Sequence, residues 1–201
     1  RFHELIGEMA GSVFLKPITG SLGKGIIRIT KGTGGAYVVA SSTLNGAGRQ
    51  SYPNLNAMIT GISGKLKVAK YQIQQGLDLI AVDGRPVDFR ALVQKNLAGK
   101  WVVSSIVARI AGNNRFVSNV AQGGTVGTVI QTVAKSNLAV RRKGVLDRLK
   151  QAAVCIAQGI DAKIPYHFGE LGIDLAVDRG AGRVWLLEVN AKPAKNESGL
   201  L

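Results

Sequence analysis

With 201 residues, 46% of them hydrophobic and only 19% charged, the chain has the apolar mass for one large domain or two small lobes, not the composition of a disordered segment. No apolar run reaches the roughly 18 residues that cross a bilayer, and Arg1-Phe2-His3-Glu4 lacks the character of a signal peptide, so no membrane partner is expected. The formal charge of +14 draws nucleotides, acidic peptides or other polyanions. Scarce aromatics, and the lack of zinc spacing, an RNP-like strand or a basic heptad helix, argue against a nucleic-acid module.

In chain order, residues 3–10 suit a short helix. The segments Val13–Lys16, Ile26–Thr30 and Ala36–Ala40 read as strands around glycine-rich turns. A second helix is expected over 54–65. Further strands are expected at Lys70–Gln74, Leu77–Val82, Val87–Gln94 and Trp101–Ile110. Leu138, Val145, Leu149, Ala152 and Ile156 recur at helical spacing, which predicts a long helix over 137–158 ended by Gly159. Two closing strands, Leu171–Asp178 and Arg183–Asn190, complete an α+β pattern. The Gln74-Gln75-Gly76 stretch marks a boundary between an N-terminal lobe, 1–75, and a C-terminal lobe, 76–201. The lone Cys155, among Ala152, Ala153 and Ile156, has no disulfide partner and reads as a small core residue. His3 and His167 lack the spacing of a zinc site and read as structural or surface residues. The chain opens without Met, which suggests a fragment or a processed form.

The first chemical signal is Phe14-Leu15-Lys16-Pro17-Ile18-Thr19-Gly20-Ser21-Leu22-Gly23-Lys24-Gly25-Ile26. A strand ends in lysine, a loop with three glycines follows, and a second strand begins. Glycines let backbone N–H groups approach phosphate oxygens, and Lys16 and Lys24 supply positive charge. A Walker A loop would need glycine at position 18 and Ser or Thr at 25, where Ile18 and Gly25 stand. A Rossmann turn would lead into a helix, but Ile26-Ile27-Arg28-Ile29-Thr30 reads as strand. A strand-loop-strand flap over phosphates and a purely structural hairpin both remain.

The second signal is Gly172-Ile173-Asp174-Leu175-Ala176-Val177-Asp178, a glycine turn, and Arg183-Val184-Trp185-Leu186-Leu187-Glu188-Val189-Asn190. Matching Ile173 with Val189, Leu175 with Leu187 and Val177 with Trp185 puts these six residues on one face. That register sets Asp174 opposite Glu188, with Asn190 two residues on and facing the same way. Like charges directly opposite are destabilising unless a cation bridges them or water solvates them, and hard oxygen donors suit Mg²⁺. Arg90 and Arg109 interrupt otherwise apolar strands, where a guanidinium needs a partner such as phosphate or carboxylate.

Together these motifs resemble the ATP-grasp superfamily, and within it the YheC/YheD type described as endospore coat-associated. The resemblance runs from Val13 to Pro193. Besides the Lys16 loop it rests on Tyr71-Gln72-Ile73-Gln74-Gln75-Gly76, Asp88-Phe89-Arg90, Val107-Ala108-Arg109, Ser118-Asn119-Val120-Ala121-Gln122-Gly123-Gly124 and Leu187-Glu188-Val189-Asn190-Ala191-Lys192-Pro193.

It implies an ATP-grasp fold: two α+β lobes with the nucleotide cleft between them, the usual upstream domain being absent from this chain. It implies that Lys16 contacts nucleotide phosphates, that Ser21, Gly23, Lys24 and Gly25 form the lid, and that Gln74, Gln75 and Gly76 form the hinge beside adenine. Arg90 and Arg109 would bind the γ-phosphate or an acyl phosphate. Asn119, Gly123 and Gly124 would line the reacting centre, and Asp174, Glu188 and Asn190 would hold Mg²⁺, with Mn²⁺ as an alternative.

The implied activity is an ADP-forming, ATP- and Mg²⁺-dependent carboxylate–amine ligase, cytoplasmic and linked to the spore. The basic surface suits an acidic amino acid or peptide as acceptor. A non-catalytic ATP-binding module of the spore coat or its assembly is the alternative, and a charge-driven polyanion binder a third. The oligomeric state has no signature in the sequence.

Overall fold

A computed structural model describes residues 4, 6, 11–19, 25–43, 46–112, 124–140 and 142–193. Backbone contacts divide the described chain into two units, with the division at Leu77/Asp78. Of the helix expected over 3–10, Glu4 and Ile6 are described and both are helical.

The first unit holds β1 (Ser12–Pro17), β2 (Ile27–Lys31), β3 (Tyr37–Thr43), β4 (Gly46–Tyr52), α1 (Leu55–Val68) and β5 (Tyr71–Gln75). Its five strands pair antiparallel in the order β4-β3-β2-β1-β5. Strict alternation decides which way each side chain faces. Val13, Leu15, Ile27, Ile29 and Val39 turn inward to join Met58 and Ile62 of α1 in a buried cluster. Asn54 starts α1 by accepting the Ala57 N–H on its Oδ1 at 2.9 Å, one of the donors a helix leaves orphaned. Phe14, Lys16 and Arg28 fall on the opposite face.

The second unit holds β6 (Ala81–Val82), β7 (Arg85–Lys95), β8 (Trp101–Ile110), β9 (Thr125–Gly127), α2 (Val129–Lys135), α3 (Val145–Lys163), β10 (Glu170–Val177) and β11 (Val184–Asn190). Its sheet runs β11-β10-β7-β8-β9, all antiparallel, with β6 paired to the start of β7. Asp83-Gly84 turns β6 into β7, both residues at positive φ (50° and 74°), as a two-residue hairpin requires. Val87, Phe89, Ala91 and Val93 of β7 and Leu171, Ile173, Leu175 and Val177 of β10 point to one face. There Val145, Leu149, Ala153 and Ala157 of α3 cover them.

Three expectations are corrected here. The helix expected over 137–158 starts only at Val145, as α3, and passes through Gly159 to Lys163, while α2 lies wholly before the expected span. The stretch between α2 and α3 is held by other partners: Asn137 donates its backbone N–H to Ala81 O and accepts the Ala81 N–H on its side-chain Oδ1, and the Ala139 N–H donates to Arg179 O. Cys155 is exposed. It lies two residues, or about 200° of helix, from Ala153 on the buried stripe. Of the strand expected over Leu77–Val82, only Ala81–Val82 is strand, preceded by a single bridge from Leu79 to Asp178.

Two aspartates pin this unit through its two tryptophans. Asp161 of α3 accepts from Lys95 Nζ at 2.9 Å and Trp101 Nε1 at 3.3 Å. The Lys95 hydrogen bond, reinforced by Trp101 and opposed by desolvation, holds its carboxyl below the usual aspartate range. Asp178 organises the turn from β10 to β11, accepting from Ala181, Gly182 and Trp185 Nε1 at 2.7, 3.0 and 3.0 Å. Burial pushes that carboxyl up, but donation from Trp185 and the turn N–H groups outweighs it, and the net direction is down.

A depressed folded-state pKa gives stability that is complete above the unfolded value and lost as pH falls through the folded one. The urea midpoint, read by tryptophan emission, is therefore expected to fall below about pH 4. Asp178→Asn should flatten that decline. An unchanged slope in the variant would remove Asp178 from the account.

Candidate functional site

The face of the second sheet turned away from α3 carries charge. Asp88 and Arg90 alternate with the core residues of β7, so both project to this side. Arg109 on β8 lies directly across from Asp88, and Asp174 on β10 directly across from Arg90. Glu188 on β11 is the cross-strand partner of Asp174, and Asn190 that of Gly172. Four neighbouring strands thus bring Arg109, Asp88, Arg90, Asp174, Glu188 and Asn190 to one face.

The two arginines find their partners among these acids. Arg109 grips Asp88 at two points, Nε to Oδ1 at 2.6 Å and Nη2 to Oδ2 at 2.9 Å, and its Nη2 also lies 3.2 Å from Asp174 Oδ1. Arg90 donates from Nη2 to Asp174 Oδ2 at 3.0 Å. Its Nε sits 2.5 Å from Asp174 Oδ1, but without the angle of a hydrogen bond, so that approach is charge contact alone. Asp88, Arg109 and Asp174 are each buried, at 7%, 6% and 6% exposure, so their mutual neutralisation is what makes the burial tolerable. Glu188 is exposed and has no ion pair among the described residues.

Sequence reasoning did not single out two contributors. Asp88 was legible as part of the Asp88-Phe89-Arg90 motif but was given no role, with nothing to show which strand would lie beside it. Gly172 faces the same way as Asp174. A Cβ there would come within 2.8 Å of Pro193 Cβ and 3.1 Å of Arg90 Nη1, so glycine leaves the space in which that guanidinium lies.

The hairpin register is corrected in part. Ile173 pairs with Val189 and Asp174 with Glu188. Beyond them a bulge intervenes, so Leu175 pairs with Leu186, Ala176 with Trp185 and Val177 with Val184. The expected pairs Leu175–Leu187 and Val177–Trp185 do not form, and Trp185 and Leu186 are exposed. The extra residue sits just past the acid pair, and bulges re-aim side chains at such places.

In the first unit, Lys16 lies across from Gln72 of β5, and Phe14 across from Gln74, so Lys16, Gln72 and Gln74 share the face opposite α1. Arg28 stacks over Phe14 on that same face, 5.8 Å from the ring centroid. Gly25, at φ 72°, returns the chain to β2, its N–H donating to Ser42 O at 3.3 Å. Gln75 is exposed. Gly76 donates to Ser12 O at 2.7 Å, and a Cβ there would collide with Ser12. Ser21, Gly23, Lys24, Asn119 and Gly123 lie outside the described residues, while Gly124 lies just before β9.

Asp174, Glu188 and Asn190 offer two carboxylates and an amide oxygen. Among the described residues no group of three His, Cys, Asp or Glu forms a metal cluster. The donor set suits a hard ion such as Mg²⁺, which takes one or two carboxylates and completes its shell with phosphate and water.

An antiparallel sheet with a charged face agrees with the expectation of an ATP-grasp fold. The chain belongs to the YheC/D like ATP-grasp family, whose model matches residues 2–199. The endospore coat-associated protein YheD of Bacillus subtilis (strain 168) is 32% identical over 196 residues, covering 96% of this chain and 42% of that protein. The endospore coat-associated protein YheC of the same strain is 24% identical over 200 residues, covering 97% and 52%. The chain therefore spans about half the length of these relatives. The crystal structure of the ADP complex of purK, N5-carboxyaminoimidazole ribonucleotide synthetase, aligns with a TM-score of 0.49 at 16% identity, covering 97% of this chain and 38% of that one. No helix among the described residues is long and apolar enough to cross a membrane.

Proposed function

We propose that this chain carries the nucleotide- and metal-binding machinery of an ADP-forming carboxylate–amine ligase. The observation that carries the reading is the charged face on which Asp174 opposes Glu188, with Arg90 and Arg109 beside them. Family membership makes that face an expected phosphate and metal surface.

Asp174, Glu188 and Asn190 would hold Mg²⁺, which when bound supplies positive charge to phosphate oxygens. Lys16 would contact the phosphates, Ser21, Gly23, Lys24 and Gly25 would cover them, and Gln74, Gln75 and Gly76 would lie beside adenine. Asn119 and the Gly123-Gly124 pair would line the reacting centre. Arg90 and Arg109 would stabilise charge as the γ-phosphoryl group passes to a carboxylate. The acyl phosphate so formed is attacked by an amine, releasing phosphate. Such transfer asks for positioning and charge stabilisation rather than a side-chain nucleophile, and none is assigned. The basic chain suits an acidic amino acid or peptide as acceptor. The names of the relatives extend the reading to an association with the endospore coat; a cytoplasmic place of action belongs to the proposal alone.

The test is a melt with ADP or ATP, with and without Mg²⁺. Nucleotide at 100-fold excess over Kd stabilises by about 2.7 kcal/mol, or roughly 5–11 °C for a chain of this size. The shift is expected to need Mg²⁺. No shift with either nucleotide ends the reading. A shift without ADP release, across a screen of acids and amines, favours a non-catalytic ATP-binding module instead.

A further inference from the structure

We infer that Asp88 is a positioning residue: it fixes Arg109 so that this guanidinium keeps its aim at the phosphate site when Asp174 is engaged by a cation. The inference rests on the phosphate and metal roles proposed above and assigns a role to a residue that reading leaves out.

The geometry separates the two arginines. Arg90 meets one carboxylate among the contacts described, that of Asp174. Arg109 meets two. Its Nε and Nη2 grip both oxygens of Asp88 at 2.6 and 2.9 Å, a two-point fork in the guanidinium plane, while its reach to Asp174 is a longer 3.2 Å. Asp174 therefore has two cations to release if it turns to a metal. Arg90 then loses the carboxylate that held it, whereas Arg109 keeps Asp88. One arginine becomes free to follow a moving phosphoryl group, and the other stays fixed.

Burial supports a positioning role over a stabilising one. Asp88 and Arg109 are 7% and 6% exposed, and they face each other directly across β7 and β8. Removing both charges from water costs about what their attraction returns, so well-packed apolar residues would hold these strands equally well. A fork has a use that an apolar pair lacks. It sets the plane of the guanidinium, which lysine or a singly bonded arginine cannot do.

The experiment compares Kd for ADP and for the non-hydrolysable triphosphate AMP-PNP, each with Mg²⁺, by calorimetry on the full 201-residue chain. The proteins are wild type, Asp88→Asn, Arg109→Gln, Asp88→Asn/Arg109→Gln and Arg109→Lys, with a melting curve for each. Wild type is expected to prefer AMP-PNP, and Arg109→Gln to lose that preference. Asp88→Asn should cut the preference about tenfold, the usual scale for losing a partner that orients a binding group, and leave ADP affinity nearly unchanged. It should add nothing in the Arg109→Gln background.

A purely structural role predicts equal weakening of both nucleotides and an undiminished effect in that background, and either result overturns the inference. So does an Asp88→Asn protein with wild-type preference. If Asp88→Asn does not fold, Arg109→Lys decides: it keeps the charge without the fork, and full preference there overturns the inference. Wild-type preference in Arg109→Gln, or none in the wild type, strikes the phosphate role of Arg109 itself and removes the inference with it.

Discussion

Glu188→Gln is expected to melt with the parent protein yet lose Mg²⁺-dependent nucleotide chemistry. Glu188 is exposed and has no ion pair among the described residues, and the amide keeps the shape of the acid. Surface changes of this kind stay within about 0.5 kcal/mol, or roughly 2 °C here. Removing one of two opposed negative charges relieves some repulsion across β10 and β11. The cost falls on the ion. A Mg²⁺ that loses one of two carboxylates is held weakly, and loss of a charge-stabilising group at a transferring phosphoryl is worth about 10²–10³ in rate. Two measurements check this: Mn²⁺ affinity by electron paramagnetic resonance, and ADP release with any acid and amine pair that supports it. Parent-level Mn²⁺ affinity in the variant would show that the ion, if bound at all, sits elsewhere.

Local physics carried much of the architecture into the sequence. The alternation Val13, Leu15 and then Ile27, Ile29 reads directly as strands with one buried face. The acid pair came from apolar matching across the last hairpin, and Asp174 does stand opposite Glu188. The same matching failed two residues later for a definable reason. Leu186 and Leu187 are adjacent and equally apolar, so pattern alone cannot say which one pairs with Leu175, and a bulge decides it.

Other losses share a non-local cause. Leu138 sits at helical spacing from Val145 and invited one long helix. The backbone of Asn137 is instead spent on Ala81, 56 residues away in the chain. β4 escaped notice because Gly46-Ala47-Gly48-Arg49-Gln50-Ser51 has no apolar alternation; it is an edge strand, and its pairing with β3 alone defines it. Arg90 and Arg109 announced themselves as charges in apolar strands, but their partners depend on which strands adjoin. That order, β10-β7-β8, is a property of the fold and not of any local segment.

Asp174→Asn should behave in the opposite way to Glu188→Gln, although the two acids face each other across one strand pair. The Asp174 side chain is 9% exposed and lies between two guanidiniums. Neutralising it leaves Arg90 and Arg109 with Asp88 as the remaining buried carboxylate among the described residues, one largely buried cation in excess. Breaking a buried pair from one side costs about 3–5 kcal/mol, because the stranded charge has lost both water and partner. For a chain of this length that is a fall of roughly 6–20 °C in Tm. Which charge is stranded follows from the geometry, since Arg109 retains its two-point hold on Asp88 and Arg90 does not. Adding Arg90→Gln to Asp174→Asn should therefore recover part of the loss. Adding Arg109→Gln should not, because it would remove the two-point hold on Asp88 and leave Arg90 where it was. Thermal and urea melts of the single variant and the two doubles decide the matter. A single variant as stable as the parent, or recovery by Arg109→Gln in place of Arg90→Gln, would show that the four charges are not coupled in the way their distances indicate.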